Sequence, residues 1–144
     1  MATMRGFAKR IRSIADGVEN NANTMMRKTV ITVASAVALR TPVDTGRARA
    51  NWQTQIGSAA SGVISGFPAG SKGSTGAAAV GVATSKAVEV MSRYKQSGID
   101  VYISNNLPYI GRLNQGSSKQ APAGFIEAAI AAGQNAIRKS RLVK

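Results

Sequence analysis

Side chains able to do chemistry are scarce in this chain. It has no Cys and no His, which removes disulfides, thiolate chemistry and the commonest general base and metal ligand. What remains is Ser, Lys and six Asp or Glu scattered along 144 positions. Ser71 and Lys72 are adjacent, but nothing beside them would orient a nucleophile and its base. Asp44 stands alone, without the further oxygen donors that a cation needs. Within Pro42-Val-Asp-Thr-Gly46 its carboxylate is placed to accept from backbone N–H groups just ahead, which reads as a turn-capping acid rather than a metal ligand or a DNA-proximal acid. Gly66-Phe-Pro-Ala-Gly-Ser-Lys-Gly73 offers the glycines and lysine of a phosphate loop. It lacks the adjacent Gly-Lys followed by Ser or Thr, so the motif fails. These residues predict a protein that is not an enzyme and takes no metal and no cofactor.

Charge says more than catalytic chemistry does. Nineteen Lys and Arg against six acids give +13, which favours a polyanion or acidic protein surfaces as neighbours. The cations crowd the ends: Arg5, Lys9, Arg10 and Arg12 at one, Arg138, Lys139, Arg141 and Lys144 at the other. Aromatic residues are few, and none lies in a basic stacking run of the kind that single-strand binders use. Neither zinc-ligand spacing nor a helix-turn-helix pattern is present. The longest apolar run, Val30 to Leu39, includes Thr32 and Ser35 and is too short to span a bilayer, and the basic N-terminus lacks the apolar core of a signal peptide. A single domain over 1–144 is expected, made and used inside the cell, with a basic helical segment at 1–20 and a flexible loop at 57–76.

The elements that would position these residues follow from spacing. Phe7, Ile11, Ile14, Val18, Ala22, Met26, Val30, Val33 and Val37 recur every three or four residues, the stripe of one apolar helix face. Asn20-Asn-Ala-Asn-Thr24 is a poor helix former, so an interruption is expected there, and Thr41-Pro42 ends the helix. Ala50, Trp52, Thr54 and Ile56 alternate with polar residues as in a half-buried strand, with Trp52 plugging the sheet against the helix. Val63 to Ser65 would add a short strand before the Gly- and Ser-rich excursion that carries Lys72. Val80, Thr84, Ala87, Met91 and Tyr94 keep a helical spacing within 77–96, with Gly98 as the stop. Ile99, Val101 and Ile103 then alternate as a second strand. Phe125, Ile126, Ala129, Ile130, Gly133, Ala136 and Ile137 make a closing amphipathic helix, with Lys and Arg at the end where the helix dipole favours cations. The sum is an α+β domain: a small, mainly antiparallel sheet packed by a long N-terminal helix, a middle helix and a C-terminal helix, with a long Gly-rich loop. Exposed edges of so small a sheet invite assembly with further copies.

The most structured information lies between Asn105 and Ile126. Pro108 opens a short helical turn because its missing N–H would go unbonded there anyway. Tyr109 and Leu113 share one face of that turn, Gly116 ends it, and Gln120-Ala-Pro-Ala-Gly124 is a bent connection to a helix starting at Phe125.

Val101-Tyr-Ile-Ser-Asn-Asn-Leu-Pro-Tyr109, followed by Leu113, Gly116, Ser118, Gln120-Ala-Pro122 and Gly124, resembles the phage neck protein family of head-to-tail joining and tail-completion proteins. Thr41-Pro-Val-Asp-Thr-Gly-Arg47, with Trp52 after it, is a second block similar to that family, and the resemblance runs from about Arg27 to the C-terminus. It implies a structural virion protein of the neck, assembled in the host cytoplasm. Such a protein forms a hexameric or dodecameric ring between the head connector and the tail terminator, and DNA passes through it without sequence specificity. The residues it marks for assembly are Asp44, Thr45, Gly46, Arg47, Trp52, Tyr109, Leu113, Gly116, Gln120, Pro122 and Gly124, while Lys72, Arg112 and Lys119 are candidates for lumen or partner contact. Many members have Leu-Glu-x-Gly where this chain has Leu113-Asn-Gln-Gly116, so a contact made by that acid would be rebuilt with neutral groups. The alternatives are a tail-terminator protein and a stand-alone basic nucleic-acid-binding protein.

Overall fold

The computed structural model describes residues 3–43, 46–65, 75–95 and 98–140. Within them the order is α1 (Met4–Arg40), α2 (Arg47–Ala50), β1 (Gln53–Ile56), α3 (Gly76–Ser92), β2 (Val101–Ser104), α4 (Ile110–Asn114) and α5 (Phe125–Arg138). The fold is α+β as expected, with α3 and α5 packed along α1 and a two-stranded antiparallel sheet beside them.

Helix α1 runs unbroken for 37 residues, and the interruption expected at 20–24 does not occur. Tertiary anchors override the weak local propensity. Asn23 is buried and its amide donates to the Lys95 carbonyl at 3.3 Å. One turn on, Arg27 donates through Nε to the Tyr94 carbonyl at 3.0 Å, and Nη2 reaches the same oxygen. The helix stops as the sequence predicts: Thr41, restricted by Pro42, turns extended at φ −64° and ψ 130°.

Small residues let the helices approach. Ala34, Ala36 and Ala38 of α1, Ala79, Ala83 and Ala87 of α3, and Ala129 and Gly133 of α5 are all buried. A Cβ on Gly133 would overlap the Val33 side chain, so α5 lies against α1 at a distance that only glycine allows there. Trp52 and Phe125 fill the space around Val37, while Val30, Met91 and Tyr94 form a second cluster against Ile56 and Val101. Trp52 takes the packed position predicted for it.

Five other expectations are corrected. Ala50 closes the short helix α2 instead of opening a strand, because Ala50 and Asn51 donate to the Gly46 and Arg47 carbonyls and the pairing residues begin at Gln53. Val63 to Ser65 form no strand. The buried Asn51 side chain instead accepts from Ile64 N at 2.7 Å and donates to Ile64 O at 3.2 Å, occupying the groups a ladder would need. In α3 the buried stripe is Gly76, Ala79, Ala83, Ala87 and Met91, one residue off the Val80 and Thr84 line, because alanines fit the close approach to α1. That helix also ends at Ser92, where the Arg93 and Tyr94 N–H groups turn back to Val90 and Met91, so Gly98 is not its stop. Finally, Phe7, Ile11, Ile14 and Val18 of α1, and Ile130 and Ile137 of α5, are exposed despite lying on the apolar stripes. Asp44, Thr45, Ser71, Lys72, Arg141 and Lys144 lie outside the described residues, as do residues 66–74 of the expected loop, whose last residue, Gly76, instead opens α3.

Candidate assembly surface

The two sequence blocks singled out above are far apart in the chain and adjacent in the fold. After α1 ends, Val43 donates its N–H to the Gln120 side-chain oxygen at 2.8 Å. The Asn105 amide donates to the Ala48 carbonyl at 2.9 Å, fastening the exit of β2 to α2. Asn106 reaches in the other direction and donates to the Ala60 and Gly62 carbonyls, each at 2.8 Å. Neutral side-chain amides thus tie three irregular segments together.

The turn from 107 to 124 is built mainly from its own backbone. Leu107 is buried and roots it, and Leu113 N bonds to Tyr109 O at 3.1 Å to close α4. Gly116 follows at φ 92°, a left-handed backbone that other residues rarely adopt, and a Cβ there would sit 3.2 Å from the Ala123 Cβ. The backbone conformation favours glycine, and the close approach to Ala123 adds to that preference. Gly124, at φ 83°, then starts α5 without a side-chain cap of its own.

Asn114 supplies the missing cap. Its Oδ1 accepts from Ile126 N at 3.0 Å, its backbone carbonyl accepts from Gly124 N at 2.8 Å, and its Nδ2 donates to the Glu127 carboxylate at 3.0 and 3.2 Å. Asn114 is therefore used internally. A carboxylate at 114 would face Glu127 as a like charge and could not donate to it. Glu127 is held below the ordinary carboxylate range, first by a hydrogen bond from its own backbone N–H and then by the Asn114 amide, with desolvation opposing.

Two open clefts border the junction. One, of about 350 Å³, is lined by Pro42, Val43, Gly46, Arg47, Tyr109, Leu113 and Gln120 among others. The second, of about 370 Å³, lies on the other side of Gln120 and is lined by Leu39, Pro42, Arg49, Pro122, Gly124 and Phe125 among others. Arg49 Nε donates to the Thr41 carbonyl at 2.7 Å, and partial burial pushes its guanidinium below its ordinary value. Beneath both clefts, Trp52 Nε1 donates to Thr41 Oγ1 at 2.8 Å, and that hydroxyl donates to Val37 O at 2.6 Å.

Of the residues marked from sequence, Gly46, Arg47, Tyr109, Leu113, Gln120, Pro122 and Gly124 come together around these clefts, and Gly116 shapes the turn behind them. Trp52 is not on the surface but supports it from below. Arg112 and Lys119 are exposed on α4 and on the following turn. Among the described residues no cluster of His, Cys, Asp or Glu could hold a metal, and no helix is long and apolar enough to cross a membrane. Sequence reasoning missed Asn51, Arg49 and the capping role of Asn114. Each is a polar residue whose partner lies in another segment, which local patterning does not signal.

No family model, curated protein or solved structure matches this chain.

Proposed function

We propose that this chain is a structural protein of a phage neck, assembling as a ring that joins the head connector to the tail and lets DNA pass. The observation that carries the reading is the convergence of the two blocks resembling that family, 41–52 and 105–126, on one open, largely uncharged surface tied by the Val43 to Gln120 bond.

Such a surface suits a repeated contact between copies. A ring presents the same patch to each neighbour, and a turn path fixed by glycine geometry and amide bonds costs little further ordering when it docks. Tyr109 supplies an exposed aromatic anchor and Gln120 and Arg47 supply polar contacts at the rim. The +13 charge fits a place among acidic neighbours and around DNA. Dense phosphate contacts would retard ejection, so under this reading Arg112, Lys119 and Lys72 meet the lumen sparsely, and most of the other cations face protein.

Gold-labelled antibody against this chain, applied to particles from a producing lysate, tests the reading. Label at the head-to-tail junction is expected. Unlabelled particles with the epitope demonstrably accessible would sink it, and salt-sensitive DNA binding by the free chain would favour a stand-alone nucleic-acid-binding protein instead.

A further inference from the structure

The first four and a half turns of α1 carry a second, unused apolar face. Phe7, Ile11 and Ile14 are 58%, 50% and 62% exposed, with Met4 and Val18 continuing the line. Their spacing alternates three and four, so Met4, Ile11 and Val18 take the a positions of a heptad and Phe7 and Ile14 the d positions. This strict a/d stripe is the narrow seam of a helix that meets another helix. Beyond it the spacing changes to steps of four through Ala22, Met26 and Val30, where the face turns onto α3 of the same chain. A lipid surface would call for a wider apolar face edged by cations. Here the cations at the edges, Arg5, Arg12 and Arg10, alternate with the acids Asp16 and Glu19, so the border is of mixed sign, and mixed charge suits a helix of the same kind better than an anionic surface.

We infer that this seam pairs, antiparallel, with the same segment of a second copy of the chain. Antiparallel pairing matches a positions with d positions, and this seam is its own complement when read backwards. Phe7 meets Val18 of the second copy and Ile11 meets Ile14, each twice about a two-fold axis, so the bulky Phe opposes a smaller residue. Charge selects the direction. Arg5, Arg12 and Glu19 share the b column, beside the alanines at e. In the antiparallel arrangement the e shoulders of the two helices meet, and Arg5 of each copy comes level with Glu19 of the other across small side chains, two opposite-charge pairs that outnumber the one like-charge approach of Arg12 to its own counterpart at the two-fold axis. A parallel pair would instead set that column beside Gly6, Arg10, Ser13 and Gly17, which offers no acid and a like charge. Among the described residues neither Arg5 nor Glu19 forms an ion pair within its own chain. The segment is about 22 Å long.

The pairing stands on α1 alone and describes the free chain: it relates copies pointing in opposite directions, whereas the copies of a ring between a head and a tail all point one way. The absence of Cys allows a direct test on the full chain. Phe7→Cys and Val18→Cys chains, mixed and oxidised, are expected to form a covalent dimer with one another, while neither variant crosslinks to itself. Ile11→Asp buries two unpaired charges in the seam and is expected to weaken self-association by about a hundredfold in sedimentation. Arg5→Glu and Glu19→Arg should each weaken it by a smaller factor, and the double reversal should restore it. Self-crosslinking of either single variant would show parallel pairing and overturn the inference. So would a monomer with no crosslink at any concentration, or vesicle binding that Ile11→Asp abolishes in a chain that never dimerises.

Discussion

The two halves of α1 have nearly the same apolar pattern and opposite fates. From Asn23 onward its face is covered: Val30, Ala34 and Val37 are buried against α3, α5 and the Trp52 cluster. From Met4 to Val18 the residues on the corresponding face stand in solvent. Periodicity locates a face; it does not say what covers it. What distinguishes the halves is residue size and anchoring. The covered half has alanines on its packing faces and meets Gly133, and it is pinned at Asn23 and Arg27 by carbonyls at the end of α3. Its exposed counterpart has larger side chains, no described partner helix, and a local cap in which Thr3 Oγ1 accepts from Gly6 N at 3.1 Å.

Substitution should separate the halves sharply. Trp52→Ala removes the largest side chain packed on the covered half and leaves the buried Thr41 hydroxyl without its donor, so a loss of about 3–5 kcal/mol is expected in urea unfolding. Because that approaches the whole stability of many domains, the variant should be partly unfolded at room temperature. A loss below about 1 kcal/mol would mean that the cluster is loosely packed. Ile14→Ala, at high dilution where chains are separate, should change stability by less than about 0.5 kcal/mol. A large loss under those conditions would show the exposed half to be covered within a single chain and erase the contrast.

Legibility in the sequence followed the same divide between local and distant causes. Thr41-Pro42, the turn through Pro108, Gly116 and the start of α5 were all predictable, because each is set by backbone geometry within a few residues. The existence of the two strands was legible from alternation, but their register, Gln53 opposite Ser104, was not. Continuity of α1 through Asn23, the loss of a strand at Val63 to Ser65 and the one-residue shift of the α3 stripe were not, because Lys95, Asn51 and the alanine-lined groove act from other segments. For the candidate surface, the clefts are lined by most of the residues marked for assembly from the sequence. The sequence could not show that Val43 and Gln120 meet, or that Asn114 turns inward.

The start of α5 gives the finest contrast with the start of α1, since one is capped by its own preceding residue and the other by a residue from a different turn. Glu127 reports on that difference. Its carboxyl lies below the ordinary value because the charged form accepts from its own backbone N–H and from Asn114. A depressed carboxylate contributes stability that is present above its unfolded pKa and is lost as pH falls through the folded one, so the contribution should fade only in the acid range. Asn114→Ala removes the second of those interactions and leaves the first. The Glu127 carboxyl resonance, followed by NMR titration, should then move its midpoint up toward the ordinary value, while that of the more distant Glu89 stays where it is. An unchanged Glu127 midpoint would assign the whole depression to the helix backbone and leave Asn114 with only its bond to Ile126 N.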